Sequence, residues 1–106
     1  MLTSKQRAYL RGLANRGEKG SKSAIKSLHR IADNRVEALE FDVADDFGCI
    51  GVPLKDINWK KNILVAAVIR DNTVIYAHGS TTLEVGDSVI IVTTNPHLCD
   101  LEDTLA

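Results

Sequence analysis

Large aromatic side chains are scarce in this sequence: one tryptophan, two tyrosines and two phenylalanines in 106 residues. A chain of that length forms one small domain, with or without an appendage, and buries about two thirds of the surface it exposes when unfolded. A subunit interface would add burial that so lean a core lacks. Cysteine is nearly absent too. Cys49 and Cys99 lack the paired spacing of a zinc site and come without a secretory leader, so free thiols in a reducing compartment are expected, with neither disulfide nor metal. No apolar run approaches the ~20 residues that cross a bilayer, and the opening MLTSKQRAYLRG has no hydrophobic centre of a signal peptide. These absences predict a soluble, cytoplasmic chain without direct membrane insertion.

Catalytic constellations are missing as well. The strand-like runs are apolar inside, and no Ser/His/Asp set or pair of carboxylates converges from them, so an enzyme is not expected. Acidic residues are almost lacking from the first third of the chain. Residues 1–36 hold nine Lys/Arg against Glu18 and Asp33, a balance of +7, whereas residues 37–106 hold four against twelve Asp/Glu, a balance of −8. A basic arm for RNA or membrane phosphates fits this split. A basic helix lying against the acidic part of its own oligomer fits it equally.

What the chain does have is strand. Asn62 to Thr94 reads NILVAAVIRDNTVIYAHGSTTLEVGDSVIIVTT, three apolar runs separated by two compact turns. Asp71-Asn72 tolerates the positive φ of a tight turn, so Asn62–Arg70 and Thr73–His78 should pair as an antiparallel hairpin. Gly86 can take a left-handed conformation, and the nearly all-apolar Val89–Thr94 that follows belongs at the centre of a sheet. A period of two also begins at Val36, with Leu39, Phe41 and Val43 on one side and Glu40 and Asp42 on the other.

Helices are short. Residues 3–14 predict one, capped by Thr3 or Ser4, with Ala8, Tyr9, Leu10 and Leu13 on the packed side and Lys5, Arg7 and Arg11 toward solvent. Asn15–Ser23, NRGEKGSKS, reads as a linker. Ala24–Ala32 predicts a second helix bearing Ile25, Leu28 and Ile31, stopped by Asp33-Asn34. Pro53 suits the first residue of a short helix, PLKDI, with Trp59 behind it at the core edge. Asn95-Pro96 would open a last helix with Leu98, Leu101 and Leu105 inward and Asp100, Glu102 and Asp103 solvated. The predicted fold class is therefore α+β, a small and mainly antiparallel sheet with short helices, preceded by an N-terminal helix and linker. Residues 1–35 form a basic helical arm and linker in this reading, and residues 36–106 the globular domain.

The segments RVEALEFDV, GVPLKDI, the long strand-rich stretch just quoted and LCDLEDTL, in that order and at those intervals, resemble the C-terminal regulatory domain of TrkA-type potassium-uptake proteins, also called the RCK C-terminal domain. The resemblance covers about residues 36–105, and SLHRIADN is similar to the segment that joins this domain to a preceding nucleotide-binding one. It implies a regulatory homodimer that couples ligand state to a membrane potassium transporter subunit. It does not carry NAD with it, because no strand followed by GxGxxG and no acid placed for a ribose is present, so the Rossmann half is missing. Some members of that family bind cyclic di-AMP between two such domains, through a basic residue after the short helix and an asparagine entering the next strand. Those places map onto Lys60 and Asn62, and lysine there forgoes the bidentate phosphate contact of arginine. Cyclic di-AMP or another nucleotide is thus the ligand the resemblance implies.

His78, ending a strand beside Gly79, is a third candidate ligand contact or pH sensor, against plain exposure at a strand end. Cys49 reads as a small buried hydrophobe, and Arg70 as a solubilising turn pair with Asp71 or a contact to a partner subunit. A second similarity joins LTSKQRAYLRGLAN to the first helix of the YhbY/CRM family of ribosome-associated RNA-binding proteins. Gly17-Glu18-Lys19-Gly20 formally satisfies a GxxG loop, yet the strand expected between helix and loop has no room. An RNA- or ribosome-associated adaptor is therefore the alternative function.

Overall fold

In the computed structural model, which describes residues 2–14, 23 and 25–106, helix α1 (Ser4–Ala14) precedes five strands. These are β1 (Ile25–Ile31), β2 (Val36–Asp42), β3 (Ile63–Arg70), β4 (Thr73–Tyr76) and β5 (Ser88–Thr93), with 3₁₀ turns at Leu54–Asp56 and Leu101–Thr104. The strands form one antiparallel sheet in the order β1-β2-β5-β3-β4. The continuous apolar run of β5 belongs in the centre because both of its edges are paired and one face is sealed in the core. The β3–β4 hairpin closes on Asp71 and Asn72 at φ 51° and 61°, and Gly86 sits at φ 94° ahead of β5, all as the sequence predicts.

One face of the sheet is covered. Leu28, Leu39, Phe41, Val68, Val89 and Ile91 project there and are buried with Val43, Phe47, Leu54, Ile57, Leu83, Leu98 and Leu101 from the connecting segments. α1 packs beside β1, and Ser23 ties the start of β1 to the chain end, its carbonyl accepting from Leu101 N–H at 2.9 Å and its hydroxyl from Ala44 N–H at 3.1 Å. The opposite face is bare. Cross-strand rows such as Ala38–Val92–Leu64 and Ile90–Ala67–Tyr76 lie on it, and Ile31, Leu64, Val74 and Tyr76 stand 50, 60, 54 and 82% exposed.

Four expectations are corrected. The helix expected over Ala24–Ala32 is strand β1, whose register slips between Ile25 and Ser27. That extra residue puts Ile25 opposite Phe41 and Leu28 opposite Leu39 on the same face, so a bulged strand reproduces the spacing of three that marks a helix. Ala32, Asp33 and Asn34 then close a hairpin rather than end a helix. The last helix is absent also. Asn95 folds back on itself, its Oδ1 accepting from His97 N–H at 2.9 Å, and the helical cap comes later at Asp100. Asp100 and Asp103 are a reciprocal capping box rather than a solvated face, with Asp103 N–H donating to the Asp100 carboxylate at 3.1 Å and Asp100 N–H to the Asp103 carboxylate at 3.2 Å. Pro53 takes the cap position of its turn, not the first helical one.

The fourth correction concerns which way α1 faces. Thr3 is its cap, exchanging hydrogen bonds with Gln6 at 2.8 and 3.1 Å. Ala8 is buried as predicted, but Tyr9 and Leu10 stand 59 and 49% exposed, while Arg11 turns inward to Glu37 with bonds of 2.7 and 2.6 Å. Arg11 lies three residues from Ala8 and so shares its helical face. Of the predicted Asn15–Ser23 linker, residues 15–22, with the Gly17–Gly20 motif, lie outside the described residues.

Candidate functional site

β4 is four residues long and pairs only with Ala67–Arg70, so among the described residues no strand lies along the outer edge of Ile63–Val65. The same place carries a bulge in β3 between Val65 and Ala67. A cleft opens there, lined by Leu54, Lys55, Trp59, Ile63, Val65 and His78 among others. Its floor is apolar and two polar groups, Lys55 and His78, converge on it, the combination expected of a small-molecule site.

The walls are held by long-range hydrogen bonds. Leu54 and Lys55 donate their N–H groups to the carbonyls of Thr81 and Gly79 at 2.9 and 3.0 Å, which clamps the 3₁₀ turn onto the segment after β4. A side chain at Gly79 would meet Lys55 Cβ at 3.3 Å, so glycine permits that approach. Trp59 Nε1 donates to Leu54 O at 3.1 Å, fixing the indole over the core edge where the sequence places it. His78 N–H donates to Thr81 Oγ1 at 3.1 Å, and its Nδ1 pairs with the Ser80 hydroxyl at 2.8 Å. Nε2 is then the ring nitrogen left to face a ligand.

Of the three sequence candidates, His78 lines the cleft; Lys60 and Asn62 do not, although their neighbours Trp59 and Ile63 do. Lys60 is exposed, and its N–H donates to Thr104 O at 2.8 Å. Asn62 is exposed at φ 64°, a conformation that asparagine tolerates better than most residues; its identity serves the turn into β3. Lys55 was missed, since a lysine in PLKDI carries no chemical signal until the fold brings it against Gly79.

Two further residues change role. Arg70 pairs not with its neighbour Asp71 but with Asp87: its guanidinium grips that carboxylate at 2.9 and 2.8 Å and Thr82 O at 3.0 Å. Cys49 is half-buried, and burial followed by the nearby Glu102 charge pushes its thiol pKa up, so the unreactive protonated form prevails at neutral pH. Neither Cys49 nor Cys99 is in a disulfide. Among the described residues no cluster of three His, Cys, Asp or Glu is placed to hold a metal, and no helix is long and apolar enough to cross a membrane.

Comparison with known proteins matches this geometry to a family. The TrkA-C domain profile matches residues 38–106, from the third residue of β2 to Ala106. The chain is 28% identical over 73 residues to the Trk system potassium uptake protein TrkA homolog 2 of Methanosarcina mazei, covering 69% of this chain and 16% of that protein. It is 28% identical over 88 residues to the TrkA of Halomonas elongata, covering 83% and 19% respectively. It is 36% identical over 56 residues to the K(+)/H(+) antiporter NhaP2 of a Shewanella species, covering 53% and 10%. The match therefore spans less than a fifth of each of these relatives. With two thirds of its length matched and the predicted antiparallel α+β sheet in place, this chain belongs to the TrkA-C domain family.

Proposed function

We propose that this domain is a non-catalytic regulatory module of a potassium-transport system, acting in the cytoplasm beside a membrane transporter subunit. Two copies pair through the bare sheet face, and a ligand in the His78 cleft shifts the pair between arrangements that the transporter senses. The observation that carries this reading is the apolar face itself: Leu64, Val74 and Tyr76 are more than half exposed on one side of a sheet whose other side is sealed. Exposed apolar patches of this kind mark interaction surfaces, and a twin copy presents a matching one. The names of the relatives, potassium uptake proteins and K(+)/H(+) antiporters, supply the transport context.

A nucleotide such as cyclic di-AMP suits the cleft. Trp59 and the aliphatic floor offer a base something to pack on, Lys55 offers phosphate a cation and His78 a ring nitrogen, while Lys60 and Asn62 would reach a ligand only from outside the lining. NAD is not proposed, for want of the Gly-rich turn.

Sedimentation equilibrium with and without Tyr76→Asp, paired with thermal unfolding in cyclic di-AMP, ATP, NAD and common cations, tests both halves. A dimer broken by Tyr76→Asp, and a ligand that stabilises by about 2.7 kcal/mol at a hundredfold excess over its Kd, are the expected results. A monomer at high concentration sinks the pairing. A dimer that no ligand stabilises leaves a passive dimeriser and removes the sensing role.

A further inference from the structure

Three guanidiniums meet where α1 crosses the end of β1. Arg11 donates to both oxygens of Glu37 and to Leu98 O at 3.1 Å, and Arg30 Nε reaches the same carboxylate at 3.4 Å. Arg7 lies one turn before Arg11 and is half-buried, and none of the described carboxylates pairs with it. Arg7, Arg11 and Arg30 line one cleft of ≈ 390 Å³ with Leu2, Leu10 and Pro96. No carboxylate among the described residues lines it. Glu37 is 6% exposed beneath the guanidiniums, so among the described residues three positive charges face one negative, an excess of +2.

We propose that this cleft binds a phosphate group, carried by a soluble phosphorylated metabolite or by a lipid headgroup. Glu37 fixes Arg11 and Arg30 in place without neutralising them, so a ligand meets preorganised donors. Both terminal nitrogens of Arg30 and the whole Arg7 fork remain available for the bidentate contacts that guanidinium makes with phosphate. The excess of two charges matches a phosphate dianion, whereas a single carboxylate would leave one cation unmet. Leu2 and Leu10, 46 and 49% exposed on the rim, would pack against the apolar part of either carrier. The site shares no residue with the His78 cleft and stands whether or not that cleft binds a nucleotide.

Titration of the full chain with inorganic phosphate and pyrophosphate, followed through the arginine Nε–H NMR signals, reads the soluble source. Flotation with phosphatidylcholine vesicles, with and without phosphatidic acid, reads the lipid source. The signals of Arg7, Arg11 and Arg30 are expected to move together and saturably while those of Arg35 and Arg70 stay. Arg7→Gln and Arg30→Gln should each weaken binding about tenfold, Arg30→Lys should restore only part of it, and Lys5→Gln should leave it unchanged. Saturation by the small anions identifies a metabolite site, and flotation that requires phosphatidic acid identifies a headgroup site. Binding to neither overturns the proposal. So does an equal loss in Lys5→Gln, which would reduce the effect to the diffuse attraction of a basic arm.

Discussion

Arg70, the last residue of β3, holds Asp87, the residue before β5, through two parallel hydrogen bonds of 2.9 and 2.8 Å. Asp87 is 3% exposed at its side chain and also accepts from Glu84 N–H at 2.9 Å, so one carboxylate closes the Glu84–Asp87 turn and anchors the distal hairpin. Burial by itself would raise its pKa, but the Arg70 and Glu84 hydrogen bonds and the Arg70 charge hold it below the ordinary carboxylate range. A depressed acid stabilises the fold above its unfolded pKa of about 3.9, and that stability fades as pH falls through the lower folded value. Asp87→Asn should cost about 2 kcal/mol at neutral pH, because Arg70 is partly solvated and only one partner is fully buried. Thermal unfolding across acidic pH checks this: the gap between wild type and Asp87→Asn should close at the acid end. A gap independent of pH would mean that packing, not charge, accounts for the loss.

Glu37 and Arg11 predict a different outcome, since both are nearly buried at 6 and 12% side-chain exposure. Arg11→Ala strands a carboxylate whose remaining cation, Arg30, is at 3.4 Å, and about 3 kcal/mol of stability should go with it. The double variant Arg11→Met/Glu37→Leu removes both charges and should be markedly more stable than Arg11→Ala. Urea unfolding of the three chains at one protein concentration decides. A double variant no better than the single would show that the pair is not desolvated.

These two ion pairs also mark what the sequence made legible. Glu37 shares the period-two parity of Leu39 and Phe41, so an inward carboxylate was readable from spacing, and it demanded a cation. Its partner was not readable, because Arg11 reaches it across 26 positions. The β3–β4 hairpin and the central place of β5 were open to inspection because local turn chemistry and an unbroken apolar run determine them. β1 was not, since its bulge converts alternation into a helical spacing. The His78 cleft was half visible: histidine at a strand end gave one wall, while Lys55 and Trp59 arrive through contacts of the 3₁₀ turn with Gly79 and Thr81 that no local pattern encodes.

Asp100 titrates in the opposite sense to Asp87. Burial first and the charge of Asp103 second raise its pKa, and backbone N–H donors only partly offset them. An acid with a raised pKa favours the fold while protonated, and that contribution is lost as pH climbs through the ordinary aspartate range to its folded value. Asp100→Asn keeps an acceptor for Asp103 N–H and removes the charge. The variant should therefore melt higher than wild type at neutral pH and equal to it in acid. Lower melting at neutral pH would show that the cap needs a full negative charge.

Ala32 is the first of three consecutive left-handed residues in the β1–β2 turn, at φ 53°, followed by Asp33 at 56° and Asn34 at 68°. Asp and Asn tolerate this region because their short polar side chains bond locally. Alanine has no such compensation, and its Cβ crowds the following carbonyl. Glycine removes that crowding but gives the unfolded chain more freedom, so the gain is smaller than the strain relieved. Ala32→Gly should stabilise by about 0.5 kcal/mol and Asn34→Ala should destabilise by about 1 kcal/mol. Both should appear as shifts in the urea midpoint with the slope unchanged, at a fixed protein concentration so that association does not enter. A lower midpoint for Ala32→Gly would mean that the turn does not hold alanine in the left-handed region, and the hairpin that makes β1 an edge strand would then need a different closure.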